Sequence, residues 1–349
     1  MSLYATSALA KAQVKATQLW NNPETRAKTP SVMALAIKNA PIAIPSPEIE
    51  RVHQLRTVDI NFFAKTAAGS TTAKAAYHEG NVGDSAKQNL TYVTIVEKFS
   101  LRYKLADNNV FSYEQMFMNQ YEQAWKNAMA RQDSAALAAL IAARCQLTAA
   151  NLATPIAASG AGTWSDVTKA LEIAAADDKV RLQKAESFMK ARQFGQMYDV
   201  VADLRTMADL TDLLNQGAGN NQNTQFQFGN SQLVPTQDII SSDYNGSFLI
   251  LPKASFAGIV WNDKQNLKGV NVGGKEGLLT TALDPFGYGV RADLSVYTHR
   301  ADTYTDGDTT SGSTQDFIDQ YELTVTVAYA TAPLSTASDG VAHLVGLSS

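Results

Sequence analysis

The sequence predicts an α+β protein in which long strands and one long helix accompany a mixed region. Residues 93–105 alternate between apolar and polar side chains, the period of a strand with one buried face. From Phe117 to Met129, aromatic and apolar side chains recur every four positions, the period of an amphipathic helix. Residues 290–296 and 321–327 alternate again. The chain of 349 residues is long enough for one large core or two smaller ones.

The first segment, residues 1–50, is expected to be an extended arm. Pro41, Pro45 and Pro47 punctuate it, and proline removes a backbone donor and disfavours helix in the residue before it. An arm of this kind needs another surface on which to lie.

The second segment, residues 51–105, is predicted to be a long β-hairpin. Val58, Ile60 and Phe62 alternate with polar residues and are a plausible antiparallel partner for residues 93–105. Residues 64–89 are rich in Ala, Gly, Ser, Thr and Lys and have too few large apolar groups for a core, which predicts a flexible tip over residues 66–88. Because an isolated hairpin is marginally stable in water, we expect another subunit to stabilise it.

The third segment, residues 106–150, is predicted to contain one long helix. Ser112 and Gln115 form a capping box, so the helix is expected to begin at Ser112. It runs, with or without a break near Asp133, through the alanine-rich stretch to Arg144.

The fourth segment, residues 151–283, is predicted to be an α+β lobe. Its expected elements are a linker over Asn151–Gly162, two helices over Trp164–Ala191, a strand over Met197–Ala202, a helix over Leu204–Leu214, a loop over Gly217–Ser231, and strands over Ser247–Leu251 and Ala257–Trp261. The last segment, residues 284–349, holds the alternating strands as a second hairpin. Its connection, Thr303–Thr314, is built from Thr, Asp, Gly and Ser and is expected to be solvated or interfacial.

The composition of the chain limits the classes of function that it can have. Charged residues make up 18% of the chain and the net charge is -4, so no broad field favours binding to a phosphate backbone. Cys145, the single cysteine, forms no intrachain disulfide, which is typical of a buried thiol and of assembly in a reducing cytoplasm. Residues 1–20 lack the apolar core of a secretory signal and no apolar run spans a bilayer, so we expect neither export nor a membrane partner.

Two glycine-rich matches do not indicate a nucleotide site. Gly269–Lys275 fits G-x-x-x-x-G-K, but Glu276 follows where that loop needs a hydroxyl for Mg²⁺, and a carboxylate there repels phosphate. Gly287, Gly289 and Ala292 fit G-x-G-x-x-A, but the residues after them alternate as a strand where a helix is required.

Metal sites are not indicated either. The four histidines, which are His53, His78, His299 and His343, lie far apart without ligand spacing. Asp302, Asp306 and Asp308 resemble a calcium loop only loosely, because the twelfth-position Glu and the flanking helices are missing. We expect no catalytic residue, no metal and no cofactor.

The order of these segments resembles that of HK97-type major capsid proteins of tailed bacteriophages: N-arm, E-loop hairpin, spine helix, A-domain and P-domain. Residues 197–210, 246–252 and 256–263 also look like A-domain sequence. The resemblance spans nearly the whole chain. It implies that residues 1–50 are the N-arm, 51–105 the E-loop, 106–150 the spine helix of the P-domain, 151–283 the A-domain, and 284–349 the return of the P-domain.

The resemblance also implies a function, that of a self-assembling subunit of an icosahedral shell around a double-stranded DNA genome. It implies pentamers and hexamers, assembled in the host cytoplasm, with separate scaffolding, portal and decoration proteins as possible partners. DNA would be enclosed without sequence-specific binding.

The residues expected at subunit interfaces on this basis are Lys65, Thr66, Lys74, His78, Lys87, Gln222, Phe226, Phe228, Asp306 and Asp308. Lys65, Lys74 and Lys87 are candidates for a covalent crosslink between subunits, but solvated surface charge is the favoured interpretation of these lysines. Three alternatives stay open at this stage: an encapsulin-like compartment, a secreted β-rich adhesin or surface-layer protein, and a hydrolase that uses an unrecognised carboxylate site.

Overall fold

The computed structural model describes residues 28–44, 59–63, 85–89, 91–102, 113–195, 197–209, 227–228, 231–262, 277–301, 316–331 and 338–348. The helices are α1 Ser31–Ala43, α2 Tyr113–Ala142, α3 Ala149–Ser159 and α4 Arg181–Ala191, with a 3-10 helix over Ala175–Val180 and a helical stretch over residues 204–209. The strands are β1 Asp59–Phe63, β2 Ser85–Asn89, β3 Thr91–Arg102, β4 Thr163–Ser165, β5 Ala170–Ala174, β6 Tyr198–Asp203, β7 Gln227–Phe228, β8 Ser231–Thr236, β9 Ser247–Pro252, β10 Phe256–Trp261, β11 Gly277–Leu283, β12 Arg291–Ala301, β13 Asp316–Thr331 and β14 His343–Ser348. The predicted α+β class is confirmed.

The strand β13 organises a five-stranded antiparallel sheet. One edge of β13 pairs with β3, while β12 and β10 pair with successive stretches of its other edge, and β11 pairs with β12. The predicted hairpin of β12 with β13 is confirmed, with Val296 opposite Tyr321. β12 begins at Arg291, so the prediction of a strand after Gly289 is also confirmed.

The predicted partner of β3 is wrong. β1 pairs with β2, from Asp59 opposite Asn89 to Phe63 opposite Ser85, and these two strands form a separate sheet. β3 pairs with β13 instead, where Phe99 stacks on Tyr321 with ring centroids 4.8 Å apart. The long-range pairing buries the apolar face of β3 under α2, which a local hairpin with β1 does not offer.

The helix α2 lies across the inner face of this sheet. Its predicted stripe is confirmed, since Phe117, Tyr121, Trp125 and Met129 are all fully buried. The helix runs without a break through Asp133, whose buried carboxylate contacts α1 rather than ending the helix. The stripe therefore fixes which side of the sheet is inside.

The expected extended arm is wrong for the part that the structure describes. Residues 31–43 form α1, and Val32, Met33, Leu35 and Ala36 pack in the core beside α2. Pro41 is accommodated inside the helix near its end. Burial of these four side chains outweighs the one backbone hydrogen bond that Pro41 removes.

The second large sheet has seven strands in the order β4-β5-β14-β9-β6-β8-β7. Both faces are covered, and residues alternate between them: Val200 and Ile250 face the core beneath α3 and α4, whereas Val201 and Leu249 face the core shared with α1 and α2. The strands predicted over Met197–Ala202 and Ser247–Leu251 are confirmed here as β6 and β9, each within one residue of the predicted bounds.

Two predictions in this lobe are wrong. The expected linker at Asn151–Gly162 is mostly the helix α3, which packs against α4 and ends where Gly160 takes a positive φ of 61°. The first of the two helices expected over Trp164–Ala191 is instead β4 and β5, because Leu171 and Ile173 pair in parallel with β14 and fill the core. The sheets also group the chain differently from the predicted segments, since β10 and β11 join the five-stranded sheet and β14 joins the seven-stranded one.

Candidate assembly surfaces

The predicted interface residues fall mostly beyond the described ranges. Those outside them are Lys65, Thr66, Lys74, His78, Gln222, Phe226, Asp306 and Asp308. Lys87 lies in β2 opposite Asn61, and Phe228 lies in β7 opposite Ser231, at one edge of the seven-stranded sheet. The structure places these two residues in different sheets.

The β1–β2 sheet is the first candidate surface. Its five residue pairs, Asp59 opposite Asn89 through Phe63 opposite Ser85, are joined to neither of the two large sheets. β1 leads into residues 64–84 and β2 follows them, so β1 and β2, rather than the predicted pair of β1 and β3, are the two paired strands of this segment. Of the predicted flexible tip, residues 66–84 lie outside the described residues, whereas residues 85–88 belong to β2, so the prediction of a flexible tip is wrong for this last part.

The outer face of the five-stranded sheet is the second candidate surface. Two neighbouring rows cross β12, β13 and β3 on the side away from α2. They are Ser295, Glu322 and Lys98 in one row, and Tyr297, Gln320 and Ser100 in the next. These side chains line an open groove of about 460 Å³. The face is polar and offers hydroxyl, amide and charged groups for hydrogen bonds to another polypeptide.

An exposed ion pair lies in this groove. The Lys98 Nζ lies 3.2 Å from a Glu322 carboxylate oxygen, and the two side chains are 72% and 43% exposed. An ion pair this exposed contributes about 0–1 kcal/mol to stability. The pair therefore acts mainly as a polar feature of the surface, available to an incoming chain.

Exposed apolar side chains mark a third candidate surface. Leu204 follows the carboxyl end of β6 and is 55% exposed, and Ile239 lies three residues past the end of β8 and is 72% exposed. Because β6 and β8 are parallel neighbours with Asp203 opposite Thr236, both side chains lie at the same end of the sheet. Exposed large apolar groups at one end of a sheet are candidates for contact with another protein.

A buried polar cluster in the seven-stranded lobe is structural. The Arg192 guanidinium lies 2.5 Å from His343 Nε2 and donates to Asp339 Oδ1 over 2.5 Å. Since arginine only donates, Nε2 accepts, and the proton on Nδ1 is donated to the Val341 carbonyl oxygen at 3.2 Å. Burial, followed by the charge of Arg192, lowers the pKa of His343 to about 3. The imidazole is therefore neutral at physiological pH.

The thiol of Cys145 belongs to the same cluster. It is fully buried and accepts a 3.4 Å contact from Arg192, and burial raises its pKa above the ordinary thiol range. A protonated, enclosed thiol is a poor nucleophile, which agrees with its interpretation as a buried free cysteine.

Among the residues that the structure describes, no group of three or more His, Cys, Asp or Glu side chains is arranged to hold a metal ion.

Sequence reasoning missed the outer-face groove as a surface, although the signal was present. The polar positions that alternate with Leu294, Val296, Tyr321 and Leu323 are the groove residues of β12 and β13.

In the described part of the chain, no helix is both long and apolar enough to cross a membrane.

Comparison with known proteins identifies similar solved chains but no family. No family model matches this chain, and no curated protein matches it. A chain from Mycobacterium phage Che8 is 11% identical with a TM-score of 0.49, covering 93% of each chain. A chain from Mycobacterium phage Bobi is 13% identical with a TM-score of 0.47, covering 94% of each. A chain from the capsid asymmetric unit of cyanophage A-1(L) is also 13% identical with a TM-score of 0.47, covering 93% of this chain and 94% of that one.

Proposed function

We propose that this chain is a structural, self-assembling subunit of an icosahedral phage capsid that encloses double-stranded DNA. The observation that carries the proposal is the β1–β2 sheet, which has two strands and joins neither large sheet. Its place also supports the proposal, because it lies between a short N-terminal helix and the long helix α2, in the order that the resemblance to HK97-type capsid proteins implies.

A two-stranded sheet of five residue pairs is marginally stable by itself in water. It becomes stable when one of its faces packs against a larger surface. A second copy of the chain supplies such a surface at every position of a repeating shell, so the same contact is made many times. In this proposal the open, polar outer face of the five-stranded sheet receives it.

Shell formation of this kind needs only modest individual contacts. Because each subunit contacts several neighbours, weak interfaces add up, and the closed shell becomes stable above a threshold subunit concentration. In this proposal the subunits form pentamers and hexamers in the host cytoplasm. Scaffolding, portal and decoration proteins are the further partners that such a shell would use.

Enclosure of DNA does not require a strongly basic protein. The net charge of -4 provides no dense cationic surface, and tight phosphate binding would need many lysines or arginines on one face. A container that confines DNA by closure rather than by affinity is compatible with this charge. The proposal assigns the chain no catalytic reaction.

The test is a concentration series of the full-length purified protein, followed by light scattering and negative-stain microscopy. The expected result is rings of five or six subunits and closed shells that become more abundant with concentration. A folded species that stays monomeric across the series overturns the proposal. Particles from infected or expressing cells should contain nuclease-sensitive DNA, and particles filled with a protein cargo instead would favour an encapsulin-like compartment.

A further inference from the structure

The helix α1 occupies the junction between the two large sheets. Among the described elements, only α1 runs close, over several residues, to strands of both sheets. These strands are β10 of the five-stranded sheet and β8 of the seven-stranded sheet. The approach to β10 is close, since a Cβ placed on Gly258 would lie 3.1 Å from the Ala36 Cβ. Its position is therefore sensitive to any relative movement of the two sheets.

The first end of α1 is held by Lys28, three residues before the helix. The Lys28 Nζ lies 2.5 Å from Asp238 Oδ2, just past β8, and 3.3 Å from Asp133 Oδ2 on α2. It also donates to Ser134 Oγ at 2.8 Å. One ammonium group thus connects a residue following the seven-stranded sheet to the long helix of the other lobe, beside the direct hydrogen bond that Ser134 Oγ donates to Asp238 Oδ2 over 2.8 Å. We call this set of contacts the N-terminal anchor.

The other end of α1 is held by Asn39. Its Nδ2 donates to Asp199 Oδ2 over 3.0 Å, and Asp199 is fully buried on β6 of the seven-stranded sheet. The same carboxylate oxygen accepts the backbone N–H of Ala254 at 3.2 Å, in the turn between β9 and β10. Since β9 and β10 belong to different sheets, this C-terminal anchor also lies where the chain crosses between the lobes.

We infer that α1 is a clasp that holds the two sheets in one relative orientation, and that its two polar anchors set that orientation. Apolar contacts are non-directional and tolerate sliding, whereas hydrogen bonds require a particular position at each end of the helix. Weakening both anchors lets the two lobes reorient while each keeps its own fold. This inference concerns the single subunit and does not rest on the proposed shell function.

The test measures the distance between the lobes by double electron–electron resonance. Spin labels at Arg291→Cys on β12 and Lys190→Cys on α4 report across the junction, and both positions are exposed and lie outside the groove. Labels at Val167→Cys and Lys190→Cys report within the seven-stranded lobe. The native Cys145 is fully buried and is protected from labelling. Both label pairs are placed in the full-length chain.

The variant Lys28→Gln with Asn39→Asp weakens both anchors, the second by placing a carboxylate against Asp199. Its matched control, Lys179→Gln with Asn119→Asp, makes the same chemical changes at exposed positions away from α1. The expected result is a broadened or shifted distance distribution across the junction in the anchor variant alone, with the distribution within the lobe unchanged. An unchanged distribution across the junction in a folded anchor variant overturns the clasp.

If the anchor variant does not fold, hydrogen exchange of the unaltered protein in low urea tests whether α1 is a clasp. A clasp predicts that the amides of α1 lose protection at lower urea than those of β6 and β13, together with broadening of the distance across the junction. Exchange of α1 and both sheets in a single step overturns the inference. Neither result depends on whether the protein forms shells, so failure of the clasp is distinguishable from failure of the proposed function.

Discussion

The carboxylate of Asp133 caps a helix 100 residues away in sequence, with its Oδ1 atom 2.8 Å from the backbone nitrogen of Val32. The same oxygen accepts the N–H of Met33 at 3.0 Å. The N-cap position of α1 is Pro30, which supplies no side-chain cap. Asp133 therefore replaces the missing Ser or Asp that usually begins a helix.

This relationship predicts different effects for two substitutions at Asp133. Asp133→Ala should lower the free energy of unfolding by about 1–3 kcal/mol, because two buried N–H groups lose their acceptor. Asp133→Asn should cost less, since the amide oxygen can still accept both hydrogen bonds and Lys28 keeps Asp238. Urea unfolding of the two variants measures the difference. Equal losses of unfolding free energy in the two variants would show that Asp133 stabilises the protein through its charge rather than through its two hydrogen bonds to α1.

The buried imidazole of His343 predicts acid sensitivity. Its pKa is about 3 in the folded protein, against an ordinary value of 6.5, so the unfolded chain binds the proton more tightly. The free energy of unfolding should therefore decrease as the pH falls from 6.5 towards 3, by up to about 1.4 kcal/mol per pH unit from this group. His343→Gln keeps an acceptor for Arg192 but does not titrate. Its stability should decline less steeply over the same range, and parallel curves for the two proteins would contradict the assignment.

A close backbone approach at Gly340 predicts that this position tolerates no side chain. A Cβ there would lie 2.2 Å from the carbonyl oxygen of Ala143, at the end of α2. The surrounding segment is held by the Cys145 N–H, which donates to the Ala342 carbonyl oxygen over 2.8 Å. Gly340→Ala should destabilise the protein by at least about 1–3 kcal/mol because rigid backbone must move.

The matched control for this change is Gly195→Ala, where no heavy atom lies within 4 Å of the new Cβ. It should leave the thermal midpoint nearly unchanged. If the two alanine variants melt together, the contact between residue 340 and the end of α2 is not as close as the structure shows.

Elements with a strong local period were predictable from the sequence. The four-residue spacing of Phe117, Tyr121, Trp125 and Met129 depends only on helix geometry, and the two-residue alternation around Val296 depends only on the pleat of a strand. Both patterns identified the buried face correctly. The polar positions between the apolar ones then form the outer-face groove, so this surface follows from the same alternation once the strands are paired.

Features that depend on distant partners were not predictable in the same way. Phe99 pairs with Tyr321, more than two hundred positions along the chain, while Phe62 was the nearest strand candidate. Pro41 indicated an extended arm because its local effect on a helix is visible in sequence, whereas the pocket that receives Val32 is not. Asp133 was a candidate for a break in α2 because a polar residue in a helix has no visible role in the local sequence. Its role depends on the backbone N–H groups of α1 that its carboxylate accepts, and these are distant in sequence.

The final prediction separates core from interface with two changes. Trp125 is fully buried on α2 and lies edge-on to Tyr121 with ring centroids 6.3 Å apart. Trp125→Ala should lower the free energy of unfolding by about 3–5 kcal/mol, a large fraction of the stability of a typical domain. Trp125→Phe keeps an aromatic ring in the stripe and should cost less.

Deletion of residues 68–74, which lie between β1 and β2, removes no large apolar side chain. The deleted protein should therefore melt near the temperature of the full chain, yet fail to close shells under the electron microscope, because the proposed contact between copies is lost. Thermal melting and microscopy of four samples, which are the full chain, Trp125→Ala, Trp125→Phe and the deletion variant, test both halves of the prediction together. Unfolding of the deletion variant with an unaffected Trp125→Ala protein would mean that core and interface are the reverse of those proposed. Normal shells from the deletion variant would show that this part of the predicted tip is not needed for closure.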